Sequence, residues 1–494
     1  MSSFSRILSR AELGLEAPEV VVETHLSGGL PGFHIVGLAE TAVKESRDRV
    51  RSALLNSGFS FPQRRITVNL APADLPKQGG CFDLAIATGI LVASGQVPGT
   101  QLEHLELVGE LALCGGLRPV RAPLPAVLAC QRAGRKLVLP QGNAAEAALV
   151  PGVALMADCL RSLCAALAGQ LTLTAPVASE PPQSPESPLC LSDIRGQSHA
   201  KQALEIAAAG GHSLLLCGPP GSGKSMLAQR LPGLLPPLTT AQAIEVAAVH
   251  GLRNPRPLAA LHLPPFRAPH HSVSTVALAG GGAQPRPGEV SLSHHGVLFL
   301  DELPEFQRNT LETLREPLET GEIHLARAAY RTRLPAQFQL VAAMNPCPCG
   351  YLGDPQRACG DPCPRAARYQ QKLSGPLLDR IDLMVGVSAV RPAELLSLPS
   401  GQSSTDIRER VMAARQRQWQ RQPGLNRNLD HQALAPILHR HQDWLTPVGE
   451  RLGLSARATH RLLRVARTVA DLAAETEVNA QHLRTALAFR HWQG

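Results

Sequence analysis

Residues 213–236 read SLLLCGPPGSGKSMLAQRLPGLLP. A short apolar run, a glycine-rich turn and a helical stretch closed by prolines predict strand, loop and helix in succession. Within the turn, Gly218, Pro219, Pro220, Gly221, Ser222, Gly223, Lys224 and Ser225 fit the pattern G-x-x-x-x-G-K-S. Glycines there let backbone N–H groups wrap a phosphate chain at a helix N-terminus. Lys224 is then expected to reach the β and γ phosphates of ATP, and Ser225 to ligate Mg²⁺.

Two further apolar runs flank this loop in the chain order of a parallel sheet buried on both faces. The run GVLFLDE, residues 296–302, ends in paired carboxylates. Asp301 is expected to hold Mg²⁺ and Glu302 to polarise the attacking water, since carboxylates at the end of a buried strand are otherwise costly. The run FQLVAAMN, residues 338–345, ends in Asn345. Its amide is a candidate sensor of the γ-phosphate; the plain alternative is a strand-end turn before Pro346.

The 494 residues exceed a typical single domain. The seam is APVASEPPQSPESP, residues 175–188, whose composition builds no core. Before it, RRITVNLAP predicts a strand, CFDLAIATGILVASGQ a helix and LELVGELALCGGLRPV a hairpin around Cys-Gly-Gly. After residue 391 the strand signals give way to helical patterns. The expected layout is therefore an N-terminal α/β domain over 1–170, a Pro-rich linker over 171–190, an α/β nucleotide-binding core over 191–390 and an α-helical part over 391–494.

A net charge of +8 carried mostly by arginine is compatible with a nucleic-acid partner. The N-terminal residues lack the apolar core of a signal peptide, and no segment approaches about 18 uncharged apolar residues. A cytoplasmic location is expected.

Four of the eleven cysteines fall in NPCPCGYLGDPQRACGDPC, residues 345–363. Cys347, Cys349, Cys359 and Cys363 supply enough thiolates for a structural Zn²⁺, although the spacing departs from C-x-x-C at both ends. Unbound thiols and an iron–sulfur cluster remain open alternatives, whereas disulfides would be reduced in a cytoplasmic chain.

The combination of GPPGSGKS, GVLFLDE, AAMNP and LSGPLLDRIDL resembles the magnesium-chelatase-like branch of the AAA+ ATPases. With GQSHAKQALEIAAAGGH and FRAPHHSVSTVALAGGG added, the whole chain is similar to the ComM/YifB family. The resemblance implies an AAA+ P-loop core with a parallel sheet, an α-helical lid and a ring of six. It also implies a helicase that drives branch migration of single-stranded or branched DNA during natural transformation, with recombination proteins as further partners. Arg380 would be an arginine finger serving the neighbouring subunit, and Arg457 a second sensor on the lid.

Two stretches fit the pore-facing insertions of this branch, residues 266–282 and 321–334. In them Arg267, Arg327, Arg331 and Arg333 are the candidate DNA contacts, beside the bland reading of a solvated basic hairpin. His270, His271, His294 and His295 read as ordinary hydrogen-bonding histidines. ADLPKQGGCFDLAIA and VGELALCGGLRPV make the N-terminal domain similar to the ribosomal-S5-like fold of Lon protease and RadA. Cys81 stands where Lon carries its serine, but no downstream lysine occupies a comparable motif, so a scaffold or DNA-binding role is expected, with Arg64 and Arg65 as contacts. The competing functions are a metal-chelatase-type motor subunit and a Lon-like ATP-dependent protease or unfoldase.

Overall fold

A computed structural model describes residues 3–37, 41–177, 189–282, 286–326, 331–352, 359, 363–389 and 401–490. Most of the expected linker therefore lies outside the described residues. The chain divides into two compact units: residues 1–182 with 244–261 and 328–333, and residues 183–243 with 262–327 and 334–494.

The first unit is built on a mixed seven-stranded sheet. Strands Phe4–Arg10, Glu19–Ser27 and Arg65–Ala71 form an antiparallel meander, and Gly32–Val36 joins Arg65–Ala71 in parallel. Leu105–Leu107, Lys136–Pro140 and Ala154–Ala157 extend the sheet in parallel on the other side. In Glu19–Ser27 the side chains of Val20, Val22, Thr24 and Leu26 are buried and their neighbours less so, the period-two signature of a sheet with one face inward. Helix Asp83–Ala93, nearly all buried, covers the first two strands. The hairpin expected around Cys-Gly-Gly is present as Glu110–Leu111 against Leu117–Arg118. The three N-terminal strands were missing from the sequence reading, although FSRILSR and EVVVETHLS carry the alternation that marks them.

The second unit holds a wholly parallel five-stranded sheet. Across the sheet the order is Phe266–Arg267, Val297–Leu300, Gln339–Met344, Leu214–Cys217 and Leu383–Gly386. The middle three strands are buried along their whole length, as their unbroken apolar runs predict. Alternate residues of one strand feed different cores. Leu214 and Leu216 join helices Ser198–Gly210, Lys224–Leu234, Ser404–Arg421 and Ala456–Leu472, whereas Leu215 and Cys217 face Leu298, Leu300 and Ile381.

The C-terminal helices are thus continuous with the core that carries the sheet. They are also joined by a buried polar network. Asp471, 1 % exposed, accepts from Arg421, Arg467 and Asn426 at 2.7 to 2.9 Å. Every acceptor lone pair so used offsets part of the cost of burying the carboxylate.

Candidate functional site

The phosphate loop connects the buried strand Leu214–Cys217 to helix Lys224–Leu234. A side chain at Gly218 would put its Cβ 2.1 Å from the carbonyl oxygen of Val387, so glycine is required where the loop leaves the sheet. Gly223, at φ +91°, makes the turn into the helix. Lys224 is buried and folded over its own loop: Nζ donates to the carbonyls of Gly218 at 2.8 Å and Pro219 at 2.9 Å, and to Asn345 Oδ1 at 3.2 Å. Burial lowers the ammonium pKa, opposed by Asp301, Cys217 and Glu302. A desolvated cation held by neutral carbonyls is primed for a phosphate oxygen.

Ser225 Oγ donates to Asp301 Oδ2 at 2.6 Å. A hydroxyl and a carboxylate meeting at a phosphate loop form the hard-oxygen donor pair that suits Mg²⁺. Asp301 Oδ1 in turn accepts from the backbone N–H of Glu302 at 2.9 Å. Glu302 adopts a left-handed conformation, φ +53° and ψ +47°, unusual for a non-glycine residue and typical of functional corners. Its carboxylate is half-exposed and lies 3.1 Å from His271 Nδ1. The contact agrees with the expectation of a hydrogen-bonding histidine, while the identity of its partner has no local sequence signal because the two residues lie far apart along the chain. Three adjacent parallel strands thus bring Lys224 and Ser225, Asp301 and Glu302, and Asn345 to one edge of the sheet. That edge, beyond the C-terminal ends of the strands, is where open α/β sheets take their ligands.

Arg380 and Arg457 are also brought together, at a different place. Both line an open pocket of about 610 Å³ that includes Arg427, Arg461 and Arg464 and none of residues 218–225. Arg457 is exposed, in the first turn of helix Ala456–Leu472. Arg380 is not. Its side chain is 8 % exposed, with the guanidinium paired to Glu319 and donating to the Pro376 carbonyl at 2.7 Å. The flanking Asp382 serves other partners instead: Arg461 at 3.3 Å and His212 at 3.4 Å. Burial alone would raise the pKa of Asp382, but the hydrogen bond and charge from His212, together with Arg461 and the Ser213 N–H, bring it down to about 2.

Among the candidate DNA contacts, Arg267 is engaged within the chain, 2.6 Å from Glu289. Arg333 is exposed on strand Arg331–Pro335, which pairs with Glu322–Ala326 as a two-stranded ribbon. Arg327 lies outside the described residues, as does the side chain of Arg331. In the first unit, Arg65 is exposed on strand Arg65–Ala71 and Arg64 precedes it. Cys81 is 4 % exposed, and burial, with Glu12 and Asp83 nearby, raises its thiol pKa well above the usual value. A thiol held protonated is a poor nucleophile.

Three of the clustered cysteines converge. The Sγ atoms of Cys347, Cys349 and Cys359 lie 3.3, 3.5 and 3.8 Å apart. Cys363 opens helix Cys363–Gln370, its side chain outside the described residues.

Comparison with known proteins agrees with this arrangement. Residues 190–395 match the family "Magnesium chelatase, subunit ChlI", 22–143 match "Subunit ChlI of Mg-chelatase", and 401–490 match its C-terminal family. The chain is 48 % identical to the YifB protein of Salmonella typhimurium, covering 99 % of this chain and 97 % of the relative. It is also 48 % identical, with the same coverage, to the Competence protein ComM of Haemophilus influenzae. A partial match, 27 % identity over 42 % of this chain and 61 % of the relative, reaches the Magnesium-chelatase 38 kDa subunit of Cereibacter sphaeroides. A P-loop α/β unit of AAA+ type, a helical C-terminal part and full-length similarity together identify the chain as a member of the ComM/YifB family of magnesium-chelatase-like proteins.

Proposed function

We propose that the chain is an ATP-hydrolysing motor that acts on DNA as a ring of six copies and drives branch migration during natural transformation. The observation that carries the ATPase reading is the convergence of Lys224, Ser225, Asp301, Glu302 and Asn345 on three adjacent strand ends. Residues 218–225 would bind the phosphates. Ser225 and Asp301 would hold Mg²⁺, which supplies neutralising charge when bound. Glu302 would orient and polarise the lytic water, and Asn345, already bonded to Lys224, would report on the γ-phosphate. Arg380 and Arg457, which share a pocket apart from the phosphate loop, would serve the nucleotide of the next subunit.

The DNA reading is supported by the competence name of the H. influenzae relative and by the basic ribbon bearing Arg331 and Arg333. Arg327 and Arg267 complete the proposed contacts. Recombination proteins would be further partners, in the cytoplasm. Residues 1–170 would form an S5-like, Lon-protease-like domain, 171–190 a linker, 191–390 the AAA+ core and 391–494 the lid, with Zn²⁺ on the cysteine cluster. A second reading, a metal-chelatase-type motor subunit, draws on the partial match to the 38 kDa subunit. A Lon-like protease finds no support in the buried, protonated Cys81.

The test is ATP hydrolysis by the assembled protein with single-stranded DNA, branched DNA or neither, comparing wild type with Arg333→Ala. Stimulation by branched DNA that Arg333→Ala weakens is expected. An assembled, hydrolysing protein indifferent to every DNA would overturn the DNA reading and leave the ATPase reading standing.

A further inference from the structure

The cysteine cluster abuts the phosphate loop. Cys347 follows strand Gln339–Met344 and is wholly buried, and Gly350 N donates to its carbonyl at 3.0 Å to close a turn. Gly350 sits at φ +84° directly on Pro220. A Cβ there would lie 2.4 Å from Pro220 Cδ and 2.8 Å from Cγ, so the turn and the phosphate loop meet with no side chain between them. The far side is anchored as well: Gln370 Nε2, at the end of helix Cys363–Gln370, donates to the Pro346 carbonyl at 3.0 Å.

The sulfur geometry discriminates among the chemistries open to such a cluster. A disulfide would draw two sulfurs to about 2 Å, and every described pair here is at 3.3 Å or more. In a [4Fe–4S] cluster each thiolate binds its own iron, and in a [2Fe–2S] cluster the pairs sit on opposite irons, so at least one of three sulfurs stands off from the others. Around a single tetrahedral ion, metal–sulfur bonds of about 2.3 Å put the sulfurs about 3.8 Å apart. The three mutual distances, 3.3 to 3.8 Å, come closest to that arrangement. The N–H of Leu352, donating to Cys347 Sγ at 3.3 Å, is the kind of contact that stabilises a thiolate rather than a thiol.

We infer that Cys347, Cys349 and Cys359 hold one zinc-like divalent ion whose occupancy sets the position of Gly350 against Pro220 and thereby the affinity of the phosphate loop for nucleotide. The inference rests on the nucleotide reading of residues 218–225. Binding is an exchange in which each S–H gives its proton to solvent as the sulfur takes up a metal bond, with no change of oxidation state. The ion ties the turn after the Asn345 strand to Cys359, further along the chain. Without it the turn loses its brace, and Pro220 loses the surface it rests on. Because coupling between two sites is reciprocal, nucleotide must tighten metal binding by the same factor that metal tightens nucleotide binding.

The full-length protein is stripped with a chelator under reducing conditions, its fold checked by circular dichroism, and titrated with Co²⁺ alone. One equivalent should bind with the visible d–d absorption of a tetrahedral thiolate site and a thiolate-to-metal band in the near ultraviolet, and Zn²⁺ should displace it. Fluorescent ATP should then bind the metal-loaded protein roughly tenfold more tightly than the stripped one, and bound nucleotide should tighten Co²⁺ by the same factor. Cys359→Ser should weaken Co²⁺ at least about tenfold and shift the spectrum. Failure to bind Co²⁺ or Zn²⁺ overturns the metal site. Stoichiometric metal with the thiolate spectrum but equal nucleotide affinity in both forms overturns the brace. Loaded protein that binds no nucleotide at all overturns the nucleotide reading beneath it, while the Co²⁺ spectrum still stands.

Discussion

The first unit and the phosphate-loop edge of the second treat their charges in opposite ways. In the first, Arg10 lies 2.5 and 2.6 Å from the two carboxylate oxygens of Glu106, Arg135 supports the same carboxylate at 3.3 Å, and Arg49 lies 2.7 Å from Asp83. Cation and anion complete one another, and a ligand has nothing to add. In the second, Lys224 is held by carbonyls and an amide, Ser225 by a carboxylate suited to a metal, and Glu302 by a histidine at the surface. There the internal partners are those that a phosphate chain, an ion and a water would replace. Buried charge of the first kind is architecture, and of the second kind readiness for a ligand.

Four substitutions probe that contrast. The largest effect is expected from Lys224→Ala, which removes a donor aimed at developing charge. Hydrolysis should fall by about two orders of magnitude or more, with the melting temperature little changed. Normal hydrolysis would erase the distinction between the units.

Next comes Glu106→Gln, which leaves the buried Arg10 guanidinium without its anion, while Arg135 keeps Glu19 at 2.6 Å, and should cost about 3 to 5 kcal/mol by denaturant unfolding. Nucleotide affinity measured below the transition should stay at the wild-type value, since this pair belongs to the first unit.

Asp382 offers a test by pH. Its folded-state pKa of about 2 lies below the ordinary 3.8, so its stabilising contribution is present above pH 4 and disappears as pH falls from about 4 to 2. One pKa unit corresponds to about 1.4 kcal/mol, so the contribution is on the order of 2 kcal/mol. Asp382→Asn should therefore lower stability at pH 7, and the gap from wild type should close toward pH 2. A gap that does not narrow would assign the effect to packing instead.

The smallest effect belongs to Cys81→Ser. With the thiol buried and protonated, wild type should resist alkylation in the folded state, and the substitution should leave hydrolysis unchanged. Rapid labelling of Cys81 would reopen the first unit as a place of chemistry.

Much of the second unit was legible in the sequence because its signals are local. A glycine turn between strand and helix, and carboxylates or an amide ending apolar runs, are each confined to a few residues. Their convergence follows from parallel strands sharing an edge. The partners of Arg380 and Glu302 were not legible, since Glu319 and His271 lie far along the chain and only the packed fold introduces them. Asp382, two residues from Arg380 in the sequence, is committed by the fold to His212 and Arg461. The opening strands of the first unit could have been read from their alternation, as Val20, Val22 and Leu26 show. Polar residues on the outward face diluted the apolar signal.

The pairing of Arg380 with Glu319 has a consequence for assembly. The guanidinium of a side chain that is 8 % exposed cannot be left without an anion, whereas Glu319, its side chain 53 % exposed, can return its carboxylate to water at small cost. On the reading proposed above, presenting Arg380 to a neighbour is therefore an exchange of anions, a carboxylate given up for a phosphate. The contact gains free energy only to the extent that the neighbour's phosphate is the better anion. A neighbour with an empty loop would offer nothing in trade, so the strength of each joint in the proposed ring would become a readout of what the adjoining subunit has bound.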